Sequence, residues 1–263
     1  MPLTAWLIVA YAFLYAPIAF LVVFSFNDSR LVMSWTGFST RWYAALAGND
    51  VLWEAAFLSL RIAAISASIA TVIGAAAGYA LARFGRFRSR RLLEGTIAAP
   101  LVLPEVITGL SLLLLFVTLE GLTGWPAGRG AGTVTLAHAA VSVAYVTVVV
   151  RARLAESGEM LEEAAADLYA PPWKVFALIT LPLLTPALVS GWLLAFTLSM
   201  DDVVVASFTS GPGATTLPMV VFSSTRQGVT PELYALASLI AAVVAVSYTH
   251  LRAHETKANL VCR

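Results

Sequence analysis

Charged residues are scarce in this sequence, and cysteine is almost absent. Asp, Glu, Lys and Arg together make up 12% of the 263 residues, whereas a soluble globular domain has about 25%. The single cysteine, Cys262, excludes a disulfide within the chain and a cysteine-rich metal site. The net charge of +1 provides no strongly basic face for nucleic acid. No G-x-x-x-x-G-K-[ST] loop occurs either, so the sequence offers no P-loop for ATP.

Long runs of apolar residues are the dominant feature of the sequence. Hydrophobic residues are 59% of the chain and the mean hydropathy is +0.84, which places most of the chain in lipid. Because a membrane-spanning helix needs about 20 apolar residues, we predict an all-α integral membrane protein with six spanning helices. The predicted spans are 5–26, 56–82, 95–118, 133–150, 176–198 and 231–246.

Arginine and lysine are distributed unevenly between the loops. Eight lie in the loops after the second and fourth spans, namely Arg83, Arg86, Arg88, Arg90, Arg91, Arg151, Arg153 and Lys174. Four lie in the opposite loops, namely Arg30, Arg41, Arg129 and Arg226. Because short loops rich in basic residues face the cytoplasm, we predict that the loop after the fourth span and both chain termini are cytoplasmic.

The last apolar run ends abruptly in a segment of different character. Residues 246–263 read VSYTHLRAHETKANLVCR, and one valid set of codons for 246–256 resembles a transposase adapter used in DNA library preparation. The alternative is a genuine short cytoplasmic tail. We interpret 1–245 as the transmembrane domain and 246–263 as an adapter-derived tail that cuts the sixth helix short.

The polar stretch between the fourth and fifth spans carries a spaced motif, EAAADLYAPPWKVFALITLP, at 163–182. It resembles the EAA loop of permease subunits in bacterial ABC importers, whose pattern is Glu-Ala-Ala, three residues, Gly, nine residues, Ile, one residue, Leu-Pro. Tyr169 stands at the glycine position, and we expect it to remove a left-handed turn that glycine allows easily. The predicted ATPase-coupling residues are Glu163, Ala164, Ala165, Asp167, Tyr169, Ile179, Leu181 and Pro182.

The resemblance implies that this loop couples the chain to a separate ATPase. Residues 162–168 contain good helix formers, and the prolines at 171–172 end that helix. Leu161, Ala165 and Leu168 recur at helical spacing and form a small apolar face. Such a helix can dock into a groove on a partner, which the resemblance implies is the ATPase. ATP and Mg²⁺ would then bind the ATPase, and no cofactor is expected on this chain.

Other segments resemble the polyamine (spermidine/putrescine) branch of this permease family, and its putrescine-type members most closely. They are 104–112, 124–126, 199–208 and GPGATTLPMVVFSSTRQGVTPE, which begins at Gly211. The resemblance covers nearly all of 1–245 and implies the MetI-like fold of ABC importer permeases in the bacterial inner membrane. It also implies a related second permease subunit, two ATPase copies and a periplasmic polyamine-binding protein.

Three carboxylates are candidates to line a path for a polyamine dication. Glu105 is predicted well inside the third span, where an ionisable group is costly and indicates function. Asp201 and Asp202 are predicted where the fifth helix ends, near the outer mouth. Spaced carboxylates can replace lost hydration without binding a cation too tightly. Each assignment has an alternative. Asp201 or Asp202 simply caps the following helical segment, and Glu105 pairs with a residue of a partner subunit instead of the solute. His138 is predicted to be a hydrogen-bonded packing residue.

Three other functions are alternatives to a polyamine permease. An ABC permease for another small solute, such as an anion, would need a path rich in Lys or Arg, whereas the ionisable candidates inside helices are Glu105 and Arg61. A secondary transporter without an ATPase often contains internal repeats, and no clear repeat is visible here. A membrane enzyme would need a catalytic constellation, which the sequence lacks.

Overall fold

The structure is a computed structural model that describes residues 2–30, 34–227 and 230–259. Within these ranges the regular structure is helical, apart from one antiparallel bridge between Asn27 and Phe38. The α-helices are, in chain order, α1 (Pro2–Phe24), α2 (Arg41–Ala47), α3 (Asp50–Arg83), α4 (Arg90–Val102), α5 (Glu105–Thr123), α6 (Ala131–Ser157), α7 (Met160–Asp167), α8 (Pro172–Val175), α9 (Leu181–Asp201), α10 (Val204–Thr209), α11 (Leu217–Gln227) and α12 (Pro231–Asn259). A π-helical turn, Phe176–Thr180, lies between α8 and α9.

Five helical stretches among the described residues are long and apolar enough to cross a membrane, which confirms the predicted all-α membrane fold. They are Thr4–Phe24, Asp50–Arg83, Glu105–Thr123, Ala131–Ser157 and Pro172–Asp201. The predicted sixth span coincides with a shorter apolar stretch of α12, Pro231–Val246. The backbone of α12 continues to Asn259, and 260–263 lie outside the described residues. The adapter-derived origin of 246–263 therefore stays a prediction.

The predicted third span, 95–118, is wrong in its position. The structure has two helices here, α4 and α5, separated by Leu103 and Pro104. Pro104 has no N–H to continue a helix, and the residue before a proline is driven out of the α region. Leu103 is accordingly extended, with φ −75° and ψ 140°. Glu105 therefore lies in the first turn of α5 and not, as predicted, well inside a helix.

Prolines also shape the start of α9. Pro182 and Pro186 have no N–H to donate to the carbonyl four residues earlier, and their rings clash with it. The chain enters α9 through the π-helical turn, a wider winding that occurs as single turns within helices. Thr180 ends this turn and is buried, with 1% exposed. Leu181 and Pro182 of the motif thus follow directly on a buried hydroxyl group.

The chain divides into two compact units, of which one combines Met1–Trp53 and Val221–Arg263. Within this unit α12 contacts α1 and α2. Tyr43 of α2 connects the end of α1 with α12. Its hydroxyl lies 2.7 Å from Oγ of Ser25, directly after α1, and 3.1 Å from Oγ of Ser238 in α12. The unit is therefore held by polar contacts at one end of α2 as well as by apolar helix packing.

The second unit, Glu54–Val220, contains every residue predicted to act in function, and α6 lies at its centre. Val146 of α6 is fully buried. A Cβ atom added to Gly74 of α3 would lie 2.8 Å from Cβ of Val146, and one added to Gly191 of α9 would lie 3.3 Å from its Cγ1. Glycine thus lets α3 and α9 approach α6 closely, as small residues do between membrane helices.

Replacing Gly78 with alanine should destabilise the contact between α3 and α6. An added Cβ would lie 2.9 Å from Cγ1 of Val150 and 3.0 Å from the carbonyl oxygen of Thr147, so the helices must separate. We expect a loss of about 1–3 kcal/mol, the usual cost of overpacking, measured as a lower unfolding temperature in detergent. Gly95→Ala is the matched control, because nothing lies within 4 Å of its added Cβ. Equal unfolding temperatures for the two variants would contradict this prediction.

Candidate functional site

The polar loop between α6 and α9 contains the short helix α7. Gly158 ends α6 with φ +65°, a conformation that glycine adopts freely. Glu162 and Glu163 lie in the first turn of α7, where carboxylates interact favourably with the helix dipole. Pro172 begins α8 after an extended Pro171. The loop thus contains a helix that ends before the prolines, as the sequence predicts.

Tyr169 keeps the left-handed turn that it was expected to remove, so that expectation is wrong. Its φ is +57°, and two hydrogen bonds close the turn. The N–H of Tyr169 donates to the carbonyl of Ala166 at 2.9 Å, and the N–H of Ala170 donates to the carbonyl of Ala165 at 3.1 Å. These are the two bonds of a Schellman motif. A left-handed residue other than glycine costs about 1–2 kcal/mol, and two net hydrogen bonds of about 1 kcal/mol each offset this cost.

Large apolar side chains are exposed on and beside α7. Leu168 is 83% exposed, Tyr169 95% and Trp173 67%. Met160 and Leu161 are also exposed, and we call these five residues the coupling surface. These apolar side chains are left uncovered by the rest of the chain. A short helix with such an exposed apolar surface is typical of a site that binds a partner protein.

Most of the predicted coupling residues are accessible to a partner. The exposed ones are Glu163, Ala164, Asp167, Tyr169, Leu181 and Pro182, and the half-buried ones are Ala165 and Ile179. Glu162, which directly precedes the motif, is different. Only 16% of its side chain is exposed, and its carboxylate contacts Arg83. The loop therefore has an accessible face and one carboxylate turned toward the rest of the chain.

Arg83, the last residue of α3, joins α7 to neighbouring helices. Its Nε donates to Oε2 of Glu162 at 2.8 Å, and its Nη2 donates to Oε1 at 3.3 Å. Nη1 and Nη2 also donate to the carbonyls of Leu154 and Gly158, at 3.2 and 2.6 Å. Oγ1 of Thr180 donates to Oε1 of Glu162 at 2.9 Å. Sequence reasoning missed this group, because Arg83 and Glu162 are 79 residues apart and Arg83 is one of five arginines in its loop.

A cavity of about 250 Å³ lies where α5, α6 and the junction of α9 with α10 meet. All three carboxylates predicted to line a path, Glu105, Asp201 and Asp202, line this cavity. Neutral hydrogen-bonding groups are supplied by the hydroxyls of Thr108, Ser142, Tyr145 and Ser199. Its lining contains no lysine or arginine, so the fixed formal charge of the cavity is negative.

Asp202 has a structural role in addition to lining the cavity. Its Oδ1 accepts hydrogen bonds from the N–H groups of Val204 and Val205, at 3.0 and 3.1 Å. Its Oδ2 accepts one from the N–H of Ala206, at 2.9 Å. Asp202 therefore caps the N-terminus of α10, which was one of its two alternative roles.

His138 is the buried, hydrogen-bonded residue that the sequence predicts. Its Nδ1 lies 2.6 Å from Oγ of Ser199, and its Nε2 lies 2.8 Å from Oδ2 of Asp202. These contacts hold the end of α9 and the start of α10 against α6. They also occupy Asp202, whereas Glu105 and Asp201 are exposed and remain accessible to a solute. Among the described residues no group of three or more His, Cys, Asp or Glu is placed to hold a metal ion.

Membrane-spanning helices that line an acidic cavity are an arrangement typical of membrane transport proteins. Residues 70–253 match the family described as binding-protein-dependent transport system inner membrane component, and the chain belongs to this family. It is therefore a multi-pass inner-membrane protein, and its transport system includes an ATPase and a substrate-binding protein.

Known relatives agree with this family and with the predicted polyamine branch. Over 240 residues the chain is 57% identical to the putrescine transport system permease protein PotI of Escherichia coli K12, covering 91% of this chain and 85% of that protein. It is 42% identical to the spermidine/putrescine transport system permease protein PotC of Haemophilus influenzae, covering 90% of this chain and 89% of that protein. These similarities confirm the predicted resemblance to polyamine permeases.

Solved structures of ABC transporters share the fold. A bacterial ABC transporter that imports the acidic polysaccharide alginate aligns with a TM-score of 0.70 at 15% identity, covering 96% of this chain and 94% of that chain. The MetNI methionine ABC transporter aligns with a TM-score of 0.59 at 18% identity, covering 82% of this chain and 95% of that chain. The predicted MetI-like permease fold is thereby confirmed.

Proposed function

We propose that this chain is the permease subunit of an ATP-driven importer of polyamines such as putrescine and spermidine. The observation that carries the proposal is the cavity lined by Glu105, Asp201 and Asp202 without any lysine or arginine. Putrescine is a short dication, and carboxylates can replace the hydration that it loses on entry. The relatives named for putrescine and spermidine transport support the same substrate class.

The three carboxylates have different roles in this proposal. Glu105 and Asp201 bind the ammonium groups as the solute passes, because both are exposed in the cavity lining. Asp202 contributes its charge, while its oxygens hold α10 and His138. Carboxylates on two separate helices bind a dication without enclosing it, so that release stays fast enough for transport.

ATP hydrolysis occurs on the partner ATPase, which binds ATP and Mg²⁺. The coupling surface docks into a groove of that ATPase, as an apolar helix face does. Two ATPase copies closing on ATP then move two such surfaces, and this movement switches the path between inward-facing and outward-facing states. The coupling loop and both chain termini are cytoplasmic in this arrangement, which the distribution of basic residues supports.

A second, related permease subunit completes the path. The acidic cavity of one chain measures about 250 Å³, and α5 exposes Leu114, Leu115 and Val117 along its length. Apolar side chains of this kind fit either lipid or the helices of a neighbouring permease. A periplasmic polyamine-binding protein delivers the solute to the outer side of this pair.

Uptake by the reconstituted transporter tests the proposed function. The chain is co-purified with its partner ATPase and second permease, and placed in proteoliposomes with ATP inside and the binding protein outside. We expect saturable, ATP-dependent accumulation of radiolabelled putrescine that excess spermidine reduces and excess methionine does not. ATP hydrolysis without uptake of either polyamine would contradict the substrate, and putrescine uptake by the permease without its ATPase would indicate a secondary transporter.

A further inference from the structure

Arg83, Glu162 and Thr180 form one connected group, which we call the clamp. Arg83 ends α3, Glu162 lies in α7, and Thr180 immediately precedes α9. The side chains of Arg83 and Glu162 are only 9% and 16% exposed, and Thr180 is 1% exposed. The clamp therefore connects the coupling loop to two membrane-spanning helices through largely buried polar contacts.

Hydrogen bonds fix both the position and the orientation of the Arg83 guanidinium. Two of its N–H groups bind the two oxygens of Glu162, and two others bind the carbonyls of Leu154 and Gly158 at the end of α6. Four of the five donors that arginine possesses are thus occupied. Paired N–H···O bonds to a carboxylate fix geometry more strictly than a single charge contact does.

Apolar packing gives α7 little attachment to the rest of the chain, because none of its residues is buried. Charged and polar contacts therefore contribute much of its attachment: Glu162 binds Arg83 and Thr180, and Glu159, directly before α7, lies 3.8 Å from Arg83. Separating Glu162 from Arg83 would leave a charge poorly compensated in a largely buried position, which is strongly unfavourable. A shift of α7 should consequently displace α3, α6 and α9 with it.

We infer that Arg83 is a positioning residue that fixes α7 to three membrane helices, so that movement of the coupling surface is transmitted to the path. The inference rests on the proposed ATP-driven function. Asp201 is the last of the 21 residues of α9, about 30 Å from its start at a rise of 1.5 Å per residue. One helix thus connects Thr180 of the clamp to a carboxylate of the acidic cavity.

Variants that open the clamp test this inference in the complete transporter. Arg83→Gln removes the charge, and Thr180→Val removes only the hydroxyl that binds Glu162. The matched control is Arg90→Gln, because Arg90 also binds carbonyls near the end of α3, of Leu81 and Phe84, and pairs with Glu94 within α4. Co-purification of the ATPase, ATP hydrolysis and putrescine uptake are measured on each proteoliposome preparation.

We expect Arg83→Gln to assemble and hydrolyse ATP within about twofold of wild type, with at least a fivefold fall in putrescine imported per ATP. Thr180→Val should reduce the same ratio by a smaller factor, Arg83→Lys should recover part of it, and Arg90→Gln should leave it unchanged. Wild-type ratios in Arg83→Gln and Thr180→Val would overturn the inference, as would an equal loss in Arg90→Gln. If Arg83→Gln does not assemble with its partners, the amount of putrescine imported per ATP by Thr180→Val tests the inference alone, and a wild-type value would overturn it.

A second readout separates this inference from the proposed substrate. A fluorophore on Val189→Cys, in a Cys262→Ser background, reports movement of α9 from an exposed position. We expect ATP with vanadate to change its fluorescence in the wild-type complex and not in Arg83→Gln, whether or not a polyamine is transported. A full change in Arg83→Gln would overturn the inference even if putrescine uptake is confirmed, and absent uptake with a clamp-dependent change would contradict only the substrate.

Discussion

Replacing Leu168 with aspartate should abolish stable binding of the partner ATPase. Leu168 is 83% exposed, directly follows α7 as its C-cap residue, and belongs to the coupling surface. Burying a leucine contributes about 1.5–3 kcal/mol, and a carboxylate forced into an apolar groove adds a desolvation cost. We expect the affinity to fall by about 100-fold or more, since 1.4 kcal/mol corresponds to a factor of ten. Co-purification of the ATPase with the membrane subunits, at several protein concentrations, measures the loss.

Leu122→Asp is the matched control for this variant. Leu122 is 78% exposed, and it lies near the end of α5, outside the coupling loop. It should therefore lower ATPase binding little, and size-exclusion profiles of both variants should show that the permease itself remains folded. Wild-type ATPase binding by Leu168→Asp would contradict the proposal that the coupling surface docks into the ATPase.

Replacing Asp201 with asparagine, or Glu105 with glutamine, should reduce putrescine uptake by about 10- to 100-fold, since hydrogen bonds to charged groups contribute about 1.5–3 kcal/mol each. Both carboxylates line the cavity and are exposed there, so their amides keep the shape of the path and remove the charge that compensates an ammonium group. ATPase binding should stay at its wild-type level. Initial rates of radiolabelled putrescine uptake in proteoliposomes measure the effect.

Glu120→Gln is the control on the same helix. Oε1 of Glu120 accepts a hydrogen bond from the N–H of Gly128, which the amide oxygen of glutamine can also accept, and Glu120 does not line the cavity. Its uptake should equal that of wild type. Asp202→Asn is a different case, since an amide cannot accept all the bonds that cap α10, and we expect it to lower assembly. Full uptake in both Asp201→Asn and Glu105→Gln would contradict the acidic path.

The positions of the spanning helices were largely predictable, and the failure at 95–118 has a local cause. Runs of about 20 apolar residues locate α1, α3, α6 and the helical stretch before Asp201, because lipid requires the backbone to be satisfied within each helix. A count of apolar residues does not detect the helix break at Pro104, because proline does not interrupt an apolar run. The geometry that proline imposes on Leu103 divides this run into α4 and α5 and moves Glu105 to a helix start.

In the coupling loop, too, the sequence pattern predicted the helical segments but not the backbone conformation of every residue. The spacing from Glu163 to Pro182 predicted a helix, a turn and a second helical segment, and these are present. The left-handed Tyr169 was not predictable, because residue type gives a preference and not a conformation. The turn exists because hydrogen bonds to Ala165 and Ala166 offset the cost of the left-handed backbone.

The sequence by itself determined that this chain is an all-helical membrane protein of the binding-protein-dependent permease family, because hydropathy and motif spacing are properties of contiguous residues. The tertiary structure alone decided which polar residues meet. It brought Glu105 of α5 together with Asp201 and Asp202 around one cavity, and it paired Arg83 with Glu162 across 79 residues. Such contacts depend on how helices pack, and helix packing is set by the sizes and shapes of many residues that are distant in sequence, among them Gly74 and Val146.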